Sequence, residues 1–337
     1  MKFDFCIGNP PYQQESVGAN ANDTPIYHYF FDAAVEIAEK VELITPARFL
    51  FDVGGTPKKW NEKMLNNEHF MVEKYYENAG DVFPNTEIKG GVAVSYIDKT
   101  KKFGAIRMFT PYPELNSILK KIGVFDHSMS DIITNRGSYR YSDLAYEKEP
   151  VEMKKTSDRR IAPSCFERMP KLFTDEKPND GEYIKIIGVQ NGVRKSKWFK
   201  KEYVAETKSL NQYKILISKA NGNGIFGETL TAPILCVPGE GFTETFIAVG
   251  IVDTKNEAKH IEKYIKTKFA RAMLGVLKVT QNMSRDTWKY VPLQDFSANS
   301  DIDWSKSIHE IDQQLYKKYG LSKEEIDFIE TRVKEMA

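Results

Sequence analysis

Phe3-Asp4-Phe5-Cys6-Ile7-Gly8-Asn9-Pro10-Pro11-Tyr12 decides the reading of this chain. A short apolar run (Phe3, Phe5, Cys6, Ile7) has strand character and ends at Gly8. Two consecutive prolines then fix φ and remove two backbone donors, so the segment continues neither a helix nor a ladder. The result is a side-chain amide, a bare carbonyl and an aromatic face held together at the end of a strand. Such a cluster accepts hydrogen bonds from an amino group while a planar ring stacks on Tyr12.

A strand followed by Asn-Pro-Pro-Tyr resembles the catalytic motif of DNA methyltransferases that act on exocyclic amines, above all the N6-adenine type. The resemblance implies that Asn9 and the Pro10 carbonyl hold the target amine and aim its lone pair at the methyl of S-adenosylmethionine. Pro11 would stiffen the turn and Tyr12 would stack on the flipped adenine. Thr45-Pro46-Ala47-Arg48-Phe49-Leu50 resembles a later segment of the same domains.

With 337 residues, 41% of them hydrophobic, the chain has room for two domains, each with a core. A formal net charge of +1 excludes a global basic field, so nucleic-acid binding would rest on local patches. Three separated cysteines (Cys6, Cys165, Cys236) and five scattered histidines suggest neither a disulfide framework nor a metal site. The sequence carries no signal-peptide pattern and no membrane-length apolar stretch, which leads us to expect a soluble cytoplasmic protein.

Residues 1–105 read as the catalytic half of a methyltransferase domain. Ile26 to Ala38 carries a helical apolar stripe, and 41–46, 72–76 and 91–97 read as strands. Ala47 to Phe51 with Trp60 to Leu65 suggest a short helix after a Gly54-Gly55 break. This alternation predicts a largely parallel, partial Rossmann-like sheet. The cofactor-binding residues are not identifiable. Gly222-Asn223-Gly224-Ile225-Phe226-Gly227 matches G-x-G-x-x-G, but residues 228–237 read as a strand, so a glycine hairpin is expected there. The cofactor half would come from a missing N-terminal segment or a separate polypeptide.

Residues 106–295 read as a mixed α/β target-recognition domain for double-stranded DNA. Its candidate DNA-binding residues are Arg136 and Arg140, Arg159 and Arg160, and Arg194, Lys195, Lys197, Trp198 and Lys200, basic groups interleaved with aromatics. Tyr264 to Arg271 with Trp288-Lys289-Tyr290-Val291-Pro292-Leu293 resembles the end of target-recognition domains in restriction–modification proteins. The whole chain thus resembles the C-terminal portion of a type II enzyme (type IIG/IIS-like). Residues 296–337 read as a helical hairpin, with helices over 304–319 and 322–335 separated by Gly320, and with Ser322 and Glu325 spaced for a capping box.

Two other readings fit parts of the sequence. Asp81 with Glu87-Ile88-Lys89, or Glu152-Met153-Lys154, has the letters of a Mg²⁺ nuclease, but charged turns account for both. A DNA-binding specificity module, or an inactive fragment without its own cofactor site, also agrees with the sequence.

Overall fold

The computed structural model describes residues 3–14, 24–52, 55–86, 88–123 and 126–336. They form a mixed α/β chain that divides into two compact units, Met1–Lys120 and Lys121–Ala337. None of the described helices is long and apolar enough to cross a membrane.

The first unit is built on four strands, β1 (Phe3–Gly8), β2 (Ala38–Pro46), β3 (Phe70–Tyr76) and β4 (Val92–Asp98), in the order β1-β2-β4-β3. β1 pairs parallel with β2, Phe5 opposite Lys40 and Gly8 opposite Leu43. The connection between them holds helix α1 (Tyr27–Ile37), as a parallel crossover requires.

The sheet is mixed, not largely parallel as its strand–helix alternation predicts. β4 inserts antiparallel between β2 and β3, so one of the three pairings is parallel. The reason lies in the connection from β3 to β4, which holds a single 3₁₀ turn (Ala79–Asp81) and no crossover helix among its described residues. The chain reverses into an adjacent strand. Gly91 (φ 73°) makes the reversal, where a Cβ would stand 2.2 Å from the Tyr76 carbonyl oxygen.

Phe31 of α1, Phe49, Phe70 and Trp60 of helix α2 (Lys58–Leu65) fill the core on one face of this sheet, with Phe49 and Trp60 rings 5.2 Å apart. Cys6 packs against the same core, while Phe3, Phe5 and Ile7 on the opposite face of β1 are exposed. Period-2 alternation puts them there.

The second unit holds two three-stranded sheets. In one, β5 (Tyr183–Gln190) and β6 (Val193–Lys200) form a hairpin. Its two-residue turn, Asn191-Gly192, has both φ positive (52° and 75°), the geometry that Asn-Gly favours. In the other, β7 (Tyr213–Ser218) lies between β8 (Ile234–Cys236) and β10 (Phe246–Val252). The short β9 (Glu240–Phe242) pairs parallel with β5. Phe166, Phe173, Phe199 and Phe242 form the core, with Phe173 and Phe199 stacked at 4.5 Å.

Four helices follow: α3 (Lys255–Lys266), α4 (Lys268–Leu274), α5 (Ile308–Lys318) and α6 (Lys323–Arg332). Gly320 (φ 60°) ends α5, with Leu321 N–H donating to Tyr316 C=O and Gly320 N–H to Lys317 C=O. Ser322 and Glu325 form the expected capping box. The preceding helix begins at Ile308, four residues later than read, because Ser307 and Glu310 form a capping box of their own. α5 docks through Asp312, whose carboxylate accepts the Lys268 and Phe269 backbone N–H groups at 2.9 Å each. It thereby caps α4, and Thr267 caps it as well.

Burial pushes the Asp312 carboxyl up to about 6 despite these two donors. An unfolded Asp titrates near 3.8, so between about pH 4 and 6 the folded chain holds a proton the unfolded chain lacks. This contribution favours the fold fully below about pH 4 and is lost as pH rises through about 6. Denaturant midpoints of the wild type and Asp312→Asn, compared across that window, should show the wild-type advantage falling to about pH 6 and then staying flat. A pH-independent difference would contradict the assignment.

Candidate functional site

Where β1 stops at Gly8, Asn9–Tyr12 leaves the sheet. The chain is recaptured by a two-residue antiparallel bridge, Gln13 opposite Pro25 and Gln14 opposite Thr24. The Tyr12 carbonyl then accepts the Ile26 N–H at 3.1 Å. The turn is thus pinned at both ends.

Asn9, Pro10, Pro11 and Tyr12 line one cavity of about 950 Å³. Pro25 and Pro46 add rigid apolar wall, Phe83 and Tyr27 add aromatic wall, and Arg48 and Lys89 bring two cations. The volume and the mix of apolar wall with polar groups are those of a small-molecule site.

Asn9 and Pro10 both line the cavity, and among the described residues neither the Asn9 side-chain amide nor the Pro10 carbonyl makes a hydrogen bond. Tyr12 is half-buried and meets Phe83 edge to face, ring centroids 6.4 Å apart. Its hydroxyl is buried without a partner among the described residues, and burial pushes the phenol up to about 12. It therefore stays neutral near pH 7 and offers a ring face rather than a charge. Phe83 and Lys89 were not singled out for this cavity from sequence, and Arg48 had no assigned role there.

The second unit distributes the basic candidates unevenly. Arg136 and Arg160 line a cleft of about 820 Å³, and Arg140 forms a backbone bridge with Arg160. Arg159 is ion-paired to Asp143 at 2.5 Å and lies over the Tyr146 ring. The remaining candidates, four basic residues and Trp198, occupy β6. Arg194 and Lys195 are exposed and make no ion pair among the described residues. Lys197 is buried and bound to Asp175 at 2.8 Å. Lys200 lies near Asp180 and Glu202, and Trp198 is flanked by the Lys177 and Lys185 ammonium groups.

The glycine loop at 222–227 turns on positive φ at Gly222, Gly224 and Gly227. Its Asn223 and Gly224 amides donate to the Glu228 carboxylate, which also pairs with Lys278. Beyond the loop the next regular element is β8, not a helix. A carboxylate of the chain itself fills the anion-holding position, and the loop lacks the helix N-terminus that would hold S-adenosylmethionine. Of the nuclease letters, Glu87 lies outside the described residues, and both Glu152 oxygens accept from Lys155.

Residues 1–83 match the Eco57I restriction-modification methylase family. An uncharacterized adenine-specific methylase of Mycoplasma pneumoniae is 32% identical over 95 residues, covering 27% of this chain and 22% of the relative's length. Among solved structures, the type IIG restriction endonuclease BpuSI aligns over 93% of this chain and 50% of its own, at 7% identity and TM-score 0.32. The type IIL restriction-modification enzyme MmeI, solved in complex with DNA, aligns over 97% and 56%, at 11% identity and TM-score 0.35. The chain therefore spans under a quarter of the curated relative and about half of each structural neighbour.

Because the Tyr12 hydroxyl is buried and unpaired, Tyr12→Phe should leave thermal stability unchanged or raise it by up to about 1 kcal/mol. Tyr12→Ala should lower it through lost packing on Phe83. A Tyr12→Phe variant destabilised by more than about 1 kcal/mol would mean the hydroxyl has a partner.

Proposed function

We propose that the chain is the base-holding and DNA-recognising part of a site-specific DNA adenine-N6 methyltransferase of a restriction–modification system. The observation that carries this reading is the open amide of Asn9 and carbonyl of Pro10 beside the Tyr12 ring, in one cavity at a strand end. The family match over the same residues supports it.

In this reading the target adenine leaves the duplex, at a cost of a few kcal/mol, and enters the cavity. Asn9 Oδ1 and the Pro10 carbonyl oxygen accept the two N–H groups of the exocyclic amine. Two acceptors at fixed positions leave the nitrogen lone pair uncommitted and set its direction. Tyr12 stacks on the ring, and Phe83 keeps Tyr12 in place. Arg48 and Lys89 at the rim meet the phosphates flanking the flipped nucleotide, while Arg194 and Lys195 on the second unit contact the backbone elsewhere.

S-adenosylmethionine supplies the methyl group in such enzymes. The 222–227 loop does not fit it, and no other described residue is assigned to it. That observation favours a second reading, a recognition module whose cofactor site lies on another segment or polypeptide.

Two experiments separate the possibilities. Asn9→Ala should reduce methyl incorporation into DNA at least a hundredfold while changing duplex affinity less than about threefold. Equal loss of both would remove Asn9 from the chemistry. Isothermal titration with S-adenosylmethionine, alone and with duplex DNA, addresses the cofactor. Binding by the chain alone would establish a cofactor site within it, whereas DNA affinity without cofactor affinity would favour the recognition module.

A further inference from the structure

The cleft of about 820 Å³ in the second unit differs in kind from a phosphate-binding surface, since five basic and four acidic side chains line it. A surface built for phosphate needs excess positive charge. Base edges in the major groove present donors and acceptors together, and a mixed lining matches them.

The residues that could reach a base edge stand on loops laddered to rigid strands. Thr134 N–H donates to the Ala248 carbonyl of β10 at 3.0 Å, and Ile133 bridges to Val249, fixing the loop that carries Arg136. Met283 N–H donates to the Lys219 carbonyl at 2.7 Å just past β7, and Ala220 bridges to Asn282, fixing the loop that carries Asn282 and Arg285. Pinned loops hold their side chains in register at little entropic cost on binding.

Their hydrogen-bonding capacity is open in part. The Arg136 guanidinium is largely exposed, with Nε 3.9 Å from Glu244, beyond hydrogen-bond reach. Glu244 instead accepts Lys219 Nζ at 2.6 Å and the Gly137 N–H at 2.8 Å. Arg285 Nε donates to the Ser130 carbonyl at 2.7 Å, while its Nη2 lies 3.9 Å from Asp131. The exposed Asn282 side-chain amide makes no hydrogen bond among the described residues.

We propose that this cleft is the base-reading site of the chain, with Arg136 and Arg285 addressing guanine edges and Asn282 an adenine edge. The assignment rests on the DNA-methyltransferase reading and deepens it by naming the residues that set its sequence preference. Arg presents paired donors to guanine O6 and N7, and Asn pairs a donor and an acceptor with adenine N6 and N7. Glu244 holds the loop next to Arg136 through the Gly137 N–H, and Lys219 holds Glu244.

The test is selection of the whole chain on a pool of duplexes with a randomised segment. The wild type should enrich a defined motif. Arg136→Ala and Asn282→Ala, both at exposed side chains outside the core, should each relax one base position about tenfold or more while retaining general duplex binding. Lys195→Ala should weaken binding to all duplexes alike and leave the motif unchanged. If both cleft variants select the wild-type motif, or the wild type binds duplex without selecting any motif, the cleft does not read bases. If the wild type binds no duplex DNA, the broader reading fails with it.

Discussion

The parallel pairing of Phe3–Gly8 with Ala38–Pro46 is the constraint on which the first unit's cavity depends. Two parallel strands release the chain at the same edge, so Asn9–Tyr12 and Pro46–Arg48 emerge side by side. In a parallel arrangement that edge is where ligands are met. An antiparallel pairing would send the two segments to opposite ends and leave no common wall. Pro10 and Pro11 then matter because they lack backbone donors, so Asn9–Tyr12 pairs with no strand before Gln13, while the chain after Pro46 turns into a 3₁₀ helix over Ala47–Phe51. A rigid turn keeps the Asn9 amide and Pro10 carbonyl unused, where a flexible loop would satisfy them internally.

The same separation of scaffold from function appears in the second unit. Its apolar weight lies in phenylalanine contacts beneath β5 and β6 and in the residues of β7 and β10, while charged and amide side chains ride on loops tied to those strands. With a net charge of +1, attraction to a polyanion depends on where charges remain uncompensated. Lys197 shows the difference within one segment. It lies among the lysines of β6, yet Asp175 and burial withdraw it from the surface, whereas Arg194 and Lys195 near the hairpin turn stay exposed.

Much of this was legible in the sequence because the signals are local. The strand before Asn9, the helix after Ile26 and the Ser322-x-x-Glu325 cap depend on neighbours a few residues away. Ser307-x-x-Glu310 carries the same signature as Ser322-x-x-Glu325, and it marks the helix start that a hydrophobic stripe alone placed too early. The sheet order was not legible, since period-2 alternation says which face a strand buries and nothing about its neighbour. Phe83 and Lys89 could not be assigned to the cavity for the same reason: their approach to Tyr12 follows from the placement of the strands. Residue spacing alone could not reveal that Glu228 takes the amides of the glycine loop.

The central claim is that the cavity at Asn9–Tyr12 receives an extruded purine. Fluorescence of 2-aminopurine, placed opposite an abasic site in duplex DNA and titrated with the chain, tests it without cofactor or a known target sequence. Stacking on Tyr12 predicts that the wild type and Tyr12→Phe change the emission to a similar extent, while Tyr12→Ala binds the duplex and does not reproduce that change. Identical emission changes for all three proteins, at equal DNA occupancy, would place the extruded base elsewhere and contradict the account.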